Sequence, residues 1–368
     1  MKKRIIVSVI SDLVTDQRVK KECNTLFKLN YEVLLIGRKS ENNFGLDELP
    51  YKVVRFKNLF KGGPLMYLMF NAQLFFYLLL KKADILWAND LDTLLPNFLI
   101  AWLKNLKLIY DSHEYFTMSV YKATSRKVWQ HLESVLFPRL KNVITVNDSI
   151  KKVYEEKYQV PITVIRNVPY KNDLHANEKI DIDANKKILI IQGAGINENR
   201  GAEEAVEMMQ FLPDEFLLLF IGKGTIIEKL KKMAKDLKQE NKVMFIGLLP
   251  YQKMMNYTRQ SFLGLIFEKI DFTDEHNFAL PNRFFDYIKA GIPILSTKAV
   301  EIKALIERYD IGDLVDNLSP VHLAEKIIQI SKDVSLYNCW KLNSVKAAND
   351  LCWENEEKKL TEFMNNVL

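Results

Sequence analysis

The chain has 368 residues, of which 48% are hydrophobic, 27% charged and 11% aromatic. A chain of this length and composition is expected to form two or three domains with sizeable cores, which excludes a disordered or fibrous protein. The formal net charge of +6 is too small to indicate nucleic-acid binding unless the basic residues cluster on one face.

The amino terminus begins with three basic residues after Met1 and continues with an apolar run over 5–10. This run contains Ser8, is shorter than the apolar stretch of a signal peptide and precedes no small-residue cleavage site. The three cysteines form no CxxC pair, which argues against a disulfide framework and fits a reducing compartment. We therefore predict a buried first strand and a cytoplasmic protein.

Short apolar runs rich in β-branched residues alternate with amphipathic helical stretches. In the first half of the chain the pattern predicts a helix over 17–29 and strands over 5–10, 32–36, 85–88, 106–110 and 143–146. In the second half it predicts a helix over 202–209 and strands over 187–192, 216–221, 243–246, 264–267 and 292–296. Apolar strands that alternate with helices are typical of parallel sheets covered on both faces. We therefore predict an α/β fold of two Rossmann-like, doubly wound domains that face each other across a cleft.

A polar stretch over 172–185 shows no apolar periodicity and is typical of a linker. We place an N-terminal domain at 1–168, a C-terminal domain at 169–345 and a terminal helical segment at 346–368. Because open parallel sheets bind ligands at the carboxyl ends of their strands, we expect the functional residues in the strand-to-helix loops.

The most hydrophobic segment, 64–80, is interrupted by Asn71 and Gln73 and is only just long enough for a membrane span. We expect a helix buried between the first sheet and its neighbours, with a surface that contacts an anionic membrane and a transmembrane helix as the two alternatives. The membrane alternatives rest on charge, because residues 51–82 contain no acidic residue. The six basic residues of that stretch are Lys52, Arg55, Lys57, Lys61, Lys81 and Lys82.

Two loops of the predicted first domain carry candidate polar residues. His113 follows the strand at 106–110, where it would face the cleft and is a catalytic candidate; the alternative is a structural histidine. Asp90 and Asp92 form a D-x-D pattern, which an exposed loop explains at least as well as a metal site. No metal is assigned, since no HExxH-type spacing occurs either.

Glycine-rich loops follow two strands of the predicted second domain. Neither completes the G-x-G-x-x-G fingerprint, because Glu198 and Ile227 stand at the third glycine position, so hydride transfer on a nicotinamide cofactor is not expected. The loop over 193–201 instead ends in Arg200 and Gly201 before a helix, where close backbone approach, free N–H groups and a guanidinium can hold a phosphate. The alternative is a solvated arginine at the start of a surface helix.

The loop over 271–293 leads into a helix that carries Asp286, which we predict in or near its first turn. A carboxylate there can accept hydrogen bonds from a ribose or sugar hydroxyl, or it can cap the helix. Asn282 is a second candidate for that cap, and Gly291 is expected to end the helix.

Together these loops resemble glycosyltransferase family 4, a group of retaining enzymes with the two-Rossmann GT-B architecture. The resemblance covers nearly the whole chain, and its most specific motif is the segment 280–293. Residues 352–354 are similar to the start of the family's terminal helix, which crosses back onto the first domain. The remaining motifs lie at 16–19, 110–114, 164–168, 193–201, 220–224 and 244–247.

The resemblance implies that a sugar passes from a nucleotide-diphosphate sugar to an acceptor hydroxyl with retention, in the synthesis of a cell-surface polysaccharide or glycoconjugate. The nucleotide sugar would lie mainly on the second domain, and the acceptor, a glycan or a lipid-linked molecule, mainly on the first. The predicted location remains cytoplasmic, at the inner face of the cell membrane in the alternative in which the segment 64–80 contacts an anionic membrane. No metal, cofactor or nucleic acid is implied, because cations and helix N-termini would stabilise the departing diphosphate in place of Mg²⁺.

The same resemblance assigns roles to individual residues. His113 and Asp286 are the catalytic candidates, with His113 near the sugar and Asp286 on the ribose. The candidates for binding the nucleotide sugar are Gly195, Arg200, Gly201, Lys223, Asn282 and Arg283.

Two positions depart from the family pattern. Phe278 stands where the family has the first glutamate of a pair, and Ala194 or Gly195 stands where it has another phosphate-binding cation. These differences leave the identity of the sugar open. Two alternative functions share the architecture: epimerisation of a nucleotide sugar without an acceptor, and non-catalytic binding of a nucleotide or glycan.

Overall fold

The computed structural model describes residues 2–14, 16–39, 48–60, 62–116, 123–171, 179–269, 278 and 280–367. The chain forms two compact units. The first unit contains Met1–Asn167 and Asn355–Leu368, and the second contains Val168–Glu354. The predicted limit at 345 differs from this division, because the residues up to Glu354 belong to the second unit.

The first unit is built on a seven-stranded sheet in which every strand pairs in parallel with its neighbours. Its strands are β1 (Arg4–Asp12), β2 (Glu32–Arg38), β3 (Lys52–Phe56), β4 (Ile85–Asn89), β5 (Lys107–Ser112), β6 (Asn142–Thr145) and β7 (Ile162–Val164). Its helices are α1 (Gln17–Lys28), α2 (Pro64–Leu80), α3 (Leu91–Lys104), α4 (Ala123–Leu136) and α5 (Asp148–Tyr158), with a short 3₁₀ helix over Phe137–Arg139. The strand order is β3-β2-β1-β4-β5-β6-β7.

The second unit contains a six-stranded parallel sheet with the order β10-β9-β8-β11-β12-β13. Its strands are β8 (Lys187–Gly193), β9 (Phe216–Gly222), β10 (Val243–Ile246), β11 (Leu263–Ile266), β12 (Ile294–Thr297) and β13 (Gly312–Val315). Its helices are α6 (Ala202–Met208), α7 (Ile227–Asp236), α8 (Tyr251–Arg259), α9 (Asn282–Ala290), α10 (Val300–Tyr309), α11 (Pro320–Lys332) and α12 (Val334–Asp350).

Each sheet reverses its strand order once, between β1 and β4 in the first unit and between β8 and β11 in the second. Such a reversal leaves a crevice at the carboxyl ends of the two strands, where doubly wound sheets bind ligands. The prediction of two doubly wound α/β domains is confirmed.

The strands that the sequence pattern missed are the short β3, β7 and β13, which lie at or next to the edges of the two sheets. Their residues are only partly buried, as in β3, where none of the five residues is fully covered. Without a continuous apolar run these strands lack the signal that identified the central ones.

The apolar segment 64–80 forms α2, which is buried on one side rather than all round. Met66, Phe70, Leu74 and Leu78 recur every four residues and pack onto the sheet, in a core shared with α3. The predicted burial between the sheet and a neighbouring helix therefore holds for one side of α2, and the opposite side is exposed. No helix in the described part of the chain is long and apolar enough to cross a bilayer.

The last helix, α13 (Trp353–Val367), starts in the second unit and continues in the first. Within the second unit the Trp353 N–H donates to the Pro169 carbonyl at 2.9 Å. Within the first unit Glu356 Oε2 accepts from the Arg166 N–H at 3.0 Å, and Thr25 of α1 donates to Glu357 at 2.9 Å. The chain thus leaves and re-enters the first unit at adjacent points, near Arg166 and Glu356, and the two ends of the second unit, near Pro169 and Trp353, are adjacent as well.

Candidate active site

The polar residues of the first unit gather where β4 and β5 end. Asn89 and Asp111 are register partners at the carboxyl ends of these strands, Asp90 follows β4 directly, and His113 follows β5. Because β4 is one of the two strands at the reversal point, this cluster lies where a doubly wound sheet binds its ligand.

Both ring nitrogens of His113 face acceptors. Nδ1 lies 3.3 Å from Asp90 Oδ2, and Nε2 lies 3.1 Å from Asn89 Oδ1 and 3.3 Å from Asp111 Oδ2. The Asn89 side chain presents its oxygen to the ring because its amide nitrogen donates to the Ser8 carbonyl at 3.1 Å. A ring with an acceptor at each nitrogen carries a hydrogen on both, so His113 is an imidazolium.

The charges around the ring agree with this assignment. Burial alone would lower the pKa of His113, but Asp90 and Asp111 outweigh it and raise that pKa to about 10. Burial raises the pKa of Asp90 to about 6, an effect that His113 opposes. Burial would also raise the pKa of Asp111, but Arg18 and His113 hold it well below its usual range. At neutral pH His113 is therefore a fixed cation and hydrogen-bond donor, not a general base.

Arg18 of α1 fixes the Asp111 carboxylate from the other side. Its guanidinium donates to Asp111 Oδ2 at 3.0 Å and to Oδ1 at 2.7 Å, and to the Ile165 carbonyl at 2.7 Å. Glu22 lies 3.0 Å from Arg18 Nε, and burial raises the pKa of Glu22 well above its ordinary value. Such a bidentate arginine–carboxylate pair fixes geometry as well as charge. The sequence had singled out the motifs of these residues but not their roles.

Asp90 is held in a backbone conformation that non-glycine residues rarely adopt, with φ 57° and ψ 165°. Its N–H donates to the Asp111 carbonyl at 2.8 Å, and its Oδ1 accepts from the His113 N–H at 2.9 Å. Such a conformation costs on the order of 1–3 kcal/mol and is concentrated at functional sites. Asp90 thus holds the loop of His113 through both its backbone and its side chain.

Among the described residues, ligand atoms of Glu22, Asp111 and His113 come within 4.8 Å of one another, the spacing of a metal site. The chemistry of these residues does not suit a divalent cation. The Arg18 guanidinium hydrogen-bonds Asp111 and lies 3.0 Å from Glu22 Oε1, and the His113 ring offers hydrogens rather than lone pairs.

In the second unit, the loops after β8 and β9 lie against each other. A Cβ on Gly222 would lie 1.9 Å from the Gly193 carbonyl oxygen, and one on Gly224 would lie 1.8 Å from the Ile196 carbonyl oxygen. Lys223, predicted to bind the nucleotide sugar, has an exposed side chain, and its backbone bonds both Gly193 and Ile196. Glycine is therefore required at 222 and 224 for contact between the two loops.

Gly195 differs from these glycines, because a Cβ there would have its nearest neighbours at 3.9 Å, one of them Arg200 Nη1. Gly201 ends the loop at φ 64°, where a Cβ would lie 2.1 Å from the Phe267 carbonyl oxygen. The helix that follows, α6, is short and carries Glu203 and Glu204 in its first turn. Any attraction for phosphate in this loop thus comes from Gly195 and Arg200 rather than from the helix end.

A carboxylate that the sequence analysis missed, Glu268, holds two of the predicted arginines. Arg283 Nη2 lies 2.6 Å from Glu268 Oε1, and Arg200 Nη1 lies 3.5 Å from the same oxygen. Arg283 is 7% exposed whereas the Arg200 side chain is 40% exposed, so Arg200 is the arginine that a ligand can reach. The signal that could have identified Glu268 is its position two residues after β11, a strand at the reversal point.

Asp286 is the fifth residue of α9, just past the first turn, and it does not cap the helix, so the alternative cap role is wrong. Pro281 occupies the cap position without a side-chain hydrogen bond, and Asn282 is the exposed first residue of the helix. Asp286 Oδ1 accepts from the Tyr251 hydroxyl at 2.9 Å, and Oδ2 accepts from Gln192 Nε2 at 3.2 Å. Burial and the Asp286 charge raise the pKa of Tyr251 above its ordinary range.

The structure thus groups some of the predicted residues and separates others. Gly195, Arg200 and Arg283 come together around Glu268, while Asp286 forms its own group with Gln192 and Tyr251. His113 belongs to the first unit. Phe278, at the position of the family's first glutamate, is half-buried, and its neighbours 277 and 279 lie outside the described residues.

Comparison with known proteins identifies both units. The family model of glycosyl transferases group 1 matches residues 175–346, and the model of Glycosyltransferase Family 4 matches residues 17–168. No curated protein matches the sequence.

Solved structures share the fold over the full length. The chain is similar to sucrose-phosphate synthase from Thermosynechococcus elongatus, with TM-score 0.79 and 13% identity over 100% of this chain and 99% of that chain. It is similar to HepE from Anabaena in complex with UDP and glucose, with TM-score 0.78 and 15% identity over 99% of this chain and 100% of that chain. It is also similar to a glycosyltransferase from Rickettsia africae, with TM-score 0.75 and 17% identity over 100% of this chain and 98% of that chain. The protein belongs to the glycosyltransferases that resemble family 4 and share the GT-B fold.

Proposed function

We propose that this glycosyltransferase moves a hexosyl group from a nucleotide-diphosphate sugar to a hydroxyl of a glycan or lipid-linked acceptor, with retention and without a required metal. The product would be a cell-surface polysaccharide or glycoconjugate, made in the cytoplasm at the inner face of the membrane. The matched families supply the reaction class. The HepE structures, in complex with UDP and with UDP-glucose, make a uridine diphosphate sugar the first substrate to test.

One observation carries the proposal: the partly exposed Arg200 guanidinium beside the open Gly195, at the carboxyl end of β8. A departing diphosphate gains negative charge, and a preorganised cation stabilises that charge in the transition state. A guanidinium has five N–H donors, so Arg200 can bond a phosphate while it stays near Glu268. Buried Arg283, anchored by the same carboxylate, adds a second positive charge behind it.

His113 contributes a fixed positive charge in this proposal. Its ring hydrogens are directed at Asn89, Asp90 and Asp111, so proton abstraction from an acceptor is not its role. The Asp90 carboxylate beside the ring, whose side chain is 20% exposed, is available to accept hydrogen bonds from sugar hydroxyls.

Ligand-induced stabilisation tests the sugar donor and the metal together. Thermal unfolding would be followed with uridine, guanosine, adenosine, cytidine and thymidine diphosphates, each with Mg²⁺ and with EDTA. We expect one diphosphate to raise the Tm equally in both, because ligand binding stabilises the folded state by mass action. A rise that requires Mg²⁺ would refute the substitution of arginine for metal.

Calorimetry with that diphosphate tests the residue. Arg200→Ala should weaken binding by roughly 10–100-fold, since a charge-assisted hydrogen bond contributes about 1.5–3 kcal/mol. Arg308→Ala, which changes an exposed arginine on α10, is the matched control and should leave the affinity unchanged.

Incubation with the nucleotide sugar alone, followed by NMR, separates the alternative functions. Slow hydrolysis of the nucleotide sugar is expected of a transferase. Formation of an epimer would identify an epimerase, and no turnover would identify a non-catalytic binder.

A further inference from the structure

The outer faces of α2 and α3 form an exposed apolar surface on the first unit, which we call the α2–α3 face. On α2, the exposed stripe is opposite the stripe that packs on the sheet and consists of Leu65, Leu68, Ala72, Phe76 and Leu79. On α3, the exposed stripe consists of Leu95, Leu99, Trp102 and Leu103. Leu68, Phe76 and Trp102 are 67%, 63% and 77% exposed, values at which a large apolar side chain gains little from the fold itself.

The two stripes lie on one surface, because the helices are neighbours on the same side of the sheet. Asn71 Nδ2 of α2 donates to the Asp92 carbonyl of α3 at 2.8 Å. Near the other end, Lys104 Nζ of α3 donates to the carbonyls of Leu78 at 2.9 Å and Lys81 at 2.8 Å. The two helices therefore run parallel, and both bury their inner faces in one core with β1, β2 and β4.

Basic residues flank the α2–α3 face at both ends. Exposed Lys57 precedes α2, while Lys81 and Lys82 follow it, and residues 51–82 include no acidic side chain. At the carboxyl end of α2, Lys81 and Lys82 line a groove of about 570 Å³ together with Lys52, Tyr77 and the 82% exposed Leu80. Arg4 and Glu32 also line this groove and pair with each other at 2.9 Å, so the three lysines give it an excess of positive charge. The groove opens at the amino ends of β1 and β3, the sheet edge opposite His113.

We propose that the α2–α3 face is an interfacial docking surface for an anionic phospholipid bilayer, with the groove receiving a lipid headgroup. Exposed apolar side chains flanked by lysines match the two attractions of such a surface, acyl-chain contact and negative charge. The excess of lysines over carboxylates in the groove favours an anionic partner, and the exposed apolar stripes favour a partner with an apolar interior. Docking here leaves the carboxyl edge of the sheet, where His113 lies, uncovered. The inference extends the proposed function but does not depend on sugar transfer.

Vesicle sedimentation of the full chain tests the proposal. We expect binding to vesicles of phosphatidylcholine with phosphatidylglycerol at low salt, weak binding to phosphatidylcholine alone, and release of the protein by salt. Lys81→Glu with Lys82→Glu should weaken binding by at least about 25-fold, since each lysine near an anionic surface contributes about fivefold. The matched control is Lys232→Glu with Lys235→Glu on α7, two exposed lysines of the second unit, which should bind as the unchanged protein does.

The apolar contribution is tested separately. Leu68→Ser with Phe76→Ser should weaken binding by roughly tenfold for each side chain. The control is Phe211→Ser with Leu342→Ser, residues 48% and 64% exposed in the second unit. Circular dichroism checks that each variant is folded. Equal binding to neutral and anionic vesicles overturns the proposal. So does unchanged binding after either the double lysine change at 81 and 82 or the double change at Leu68 and Phe76. So does an absence of vesicle binding together with a dimer that Leu68→Ser and Phe76→Ser convert to a monomer, since the face would then join two copies.

Discussion

The buried pair of Arg18 and Asp111 is the most exacting test of the His113 cluster. Arg18→Met removes a guanidinium whose side chain is 3% exposed and leaves the fully buried Asp111 carboxylate without its bidentate partner. Breaking a buried pair from one side costs about 3–5 kcal/mol, and here Asp111 would keep only the longer 3.3 Å contact to His113 as an ion pair among the described residues. For a unit of this size each kcal/mol lowers the Tm by about 2–4 °C, so we expect a fall of roughly 6–20 °C.

Calorimetric unfolding measures this change, and hydrogen exchange of the amides in β1, β4 and β5 assigns it to the first unit. Asp111→Leu alone should destabilise comparably, because it removes both hydrogen bonds from the Arg18 guanidinium to a carboxylate and leaves Arg18 with Glu22 and the Ile165 carbonyl. The double variant should lose less unfolding free energy than the sum of the two single losses, by about 2 kcal/mol or more, since an apolar pair can replace a buried ion pair. Single effects below about 1 kcal/mol, or effects that add within about 0.5 kcal/mol, would refute the view that this pair anchors the cluster.

Three further predictions follow from the same geometry. The pKa of His113 is raised to about 10, so the contribution of its charged form to stability is complete below about pH 6.5 and is lost as pH rises through 10. The difference in unfolding free energy between the protein and His113→Phe should follow this pH course. In NMR spectra the ring C2 proton of His113 should titrate above pH 9. Glu268→Gln should tighten diphosphate binding by roughly tenfold in calorimetry while lowering stability by about 1–3 kcal/mol, because it removes a negative charge near the phosphate site and the partner of a buried arginine; unchanged affinity would contradict the site. Gly222→Ala should destabilise by at least about 3 kcal/mol in urea unfolding, whereas Gly195→Ala should cost less than about 1 kcal/mol and weaken diphosphate binding instead.

The central strands and the fold class could be predicted from the sequence because buried parallel strands are continuous apolar runs. The pattern of β4, in which all five residues are buried, shows this directly. The half-buried state of α2 could not be predicted, because a helix that is apolar on every side gives no indication of which side meets the sheet. The missed strand β3 is the opposite case, since partial burial leaves no apolar run.

The sequence identifies candidate site residues but not the charges around them. His113, Arg200 and Arg283 stand out by residue type and by their motifs. Their electrostatic partners do not, because the partners come from distant parts of the chain: Asp111 is 93 residues from Arg18, and Glu268 is 68 residues from Arg200. Only the fold shows that His113 lies between carboxylates that raise its pKa, and that Arg283 is buried against the carboxylate of Glu268.

The path of the chain through α13 has a practical consequence. The first unit is interrupted by the whole of the second, yet Arg166 and Glu356 meet at the interruption, as do Pro169 and Trp353 at the ends of the inserted part. The cut ends of each unit therefore lie close together, so residues 168–354 can be prepared as one polypeptide and the remainder as a second one rejoined through a short glycine–serine bridge. Nucleotide recognition and lipid attachment could then be assayed on separate polypeptides.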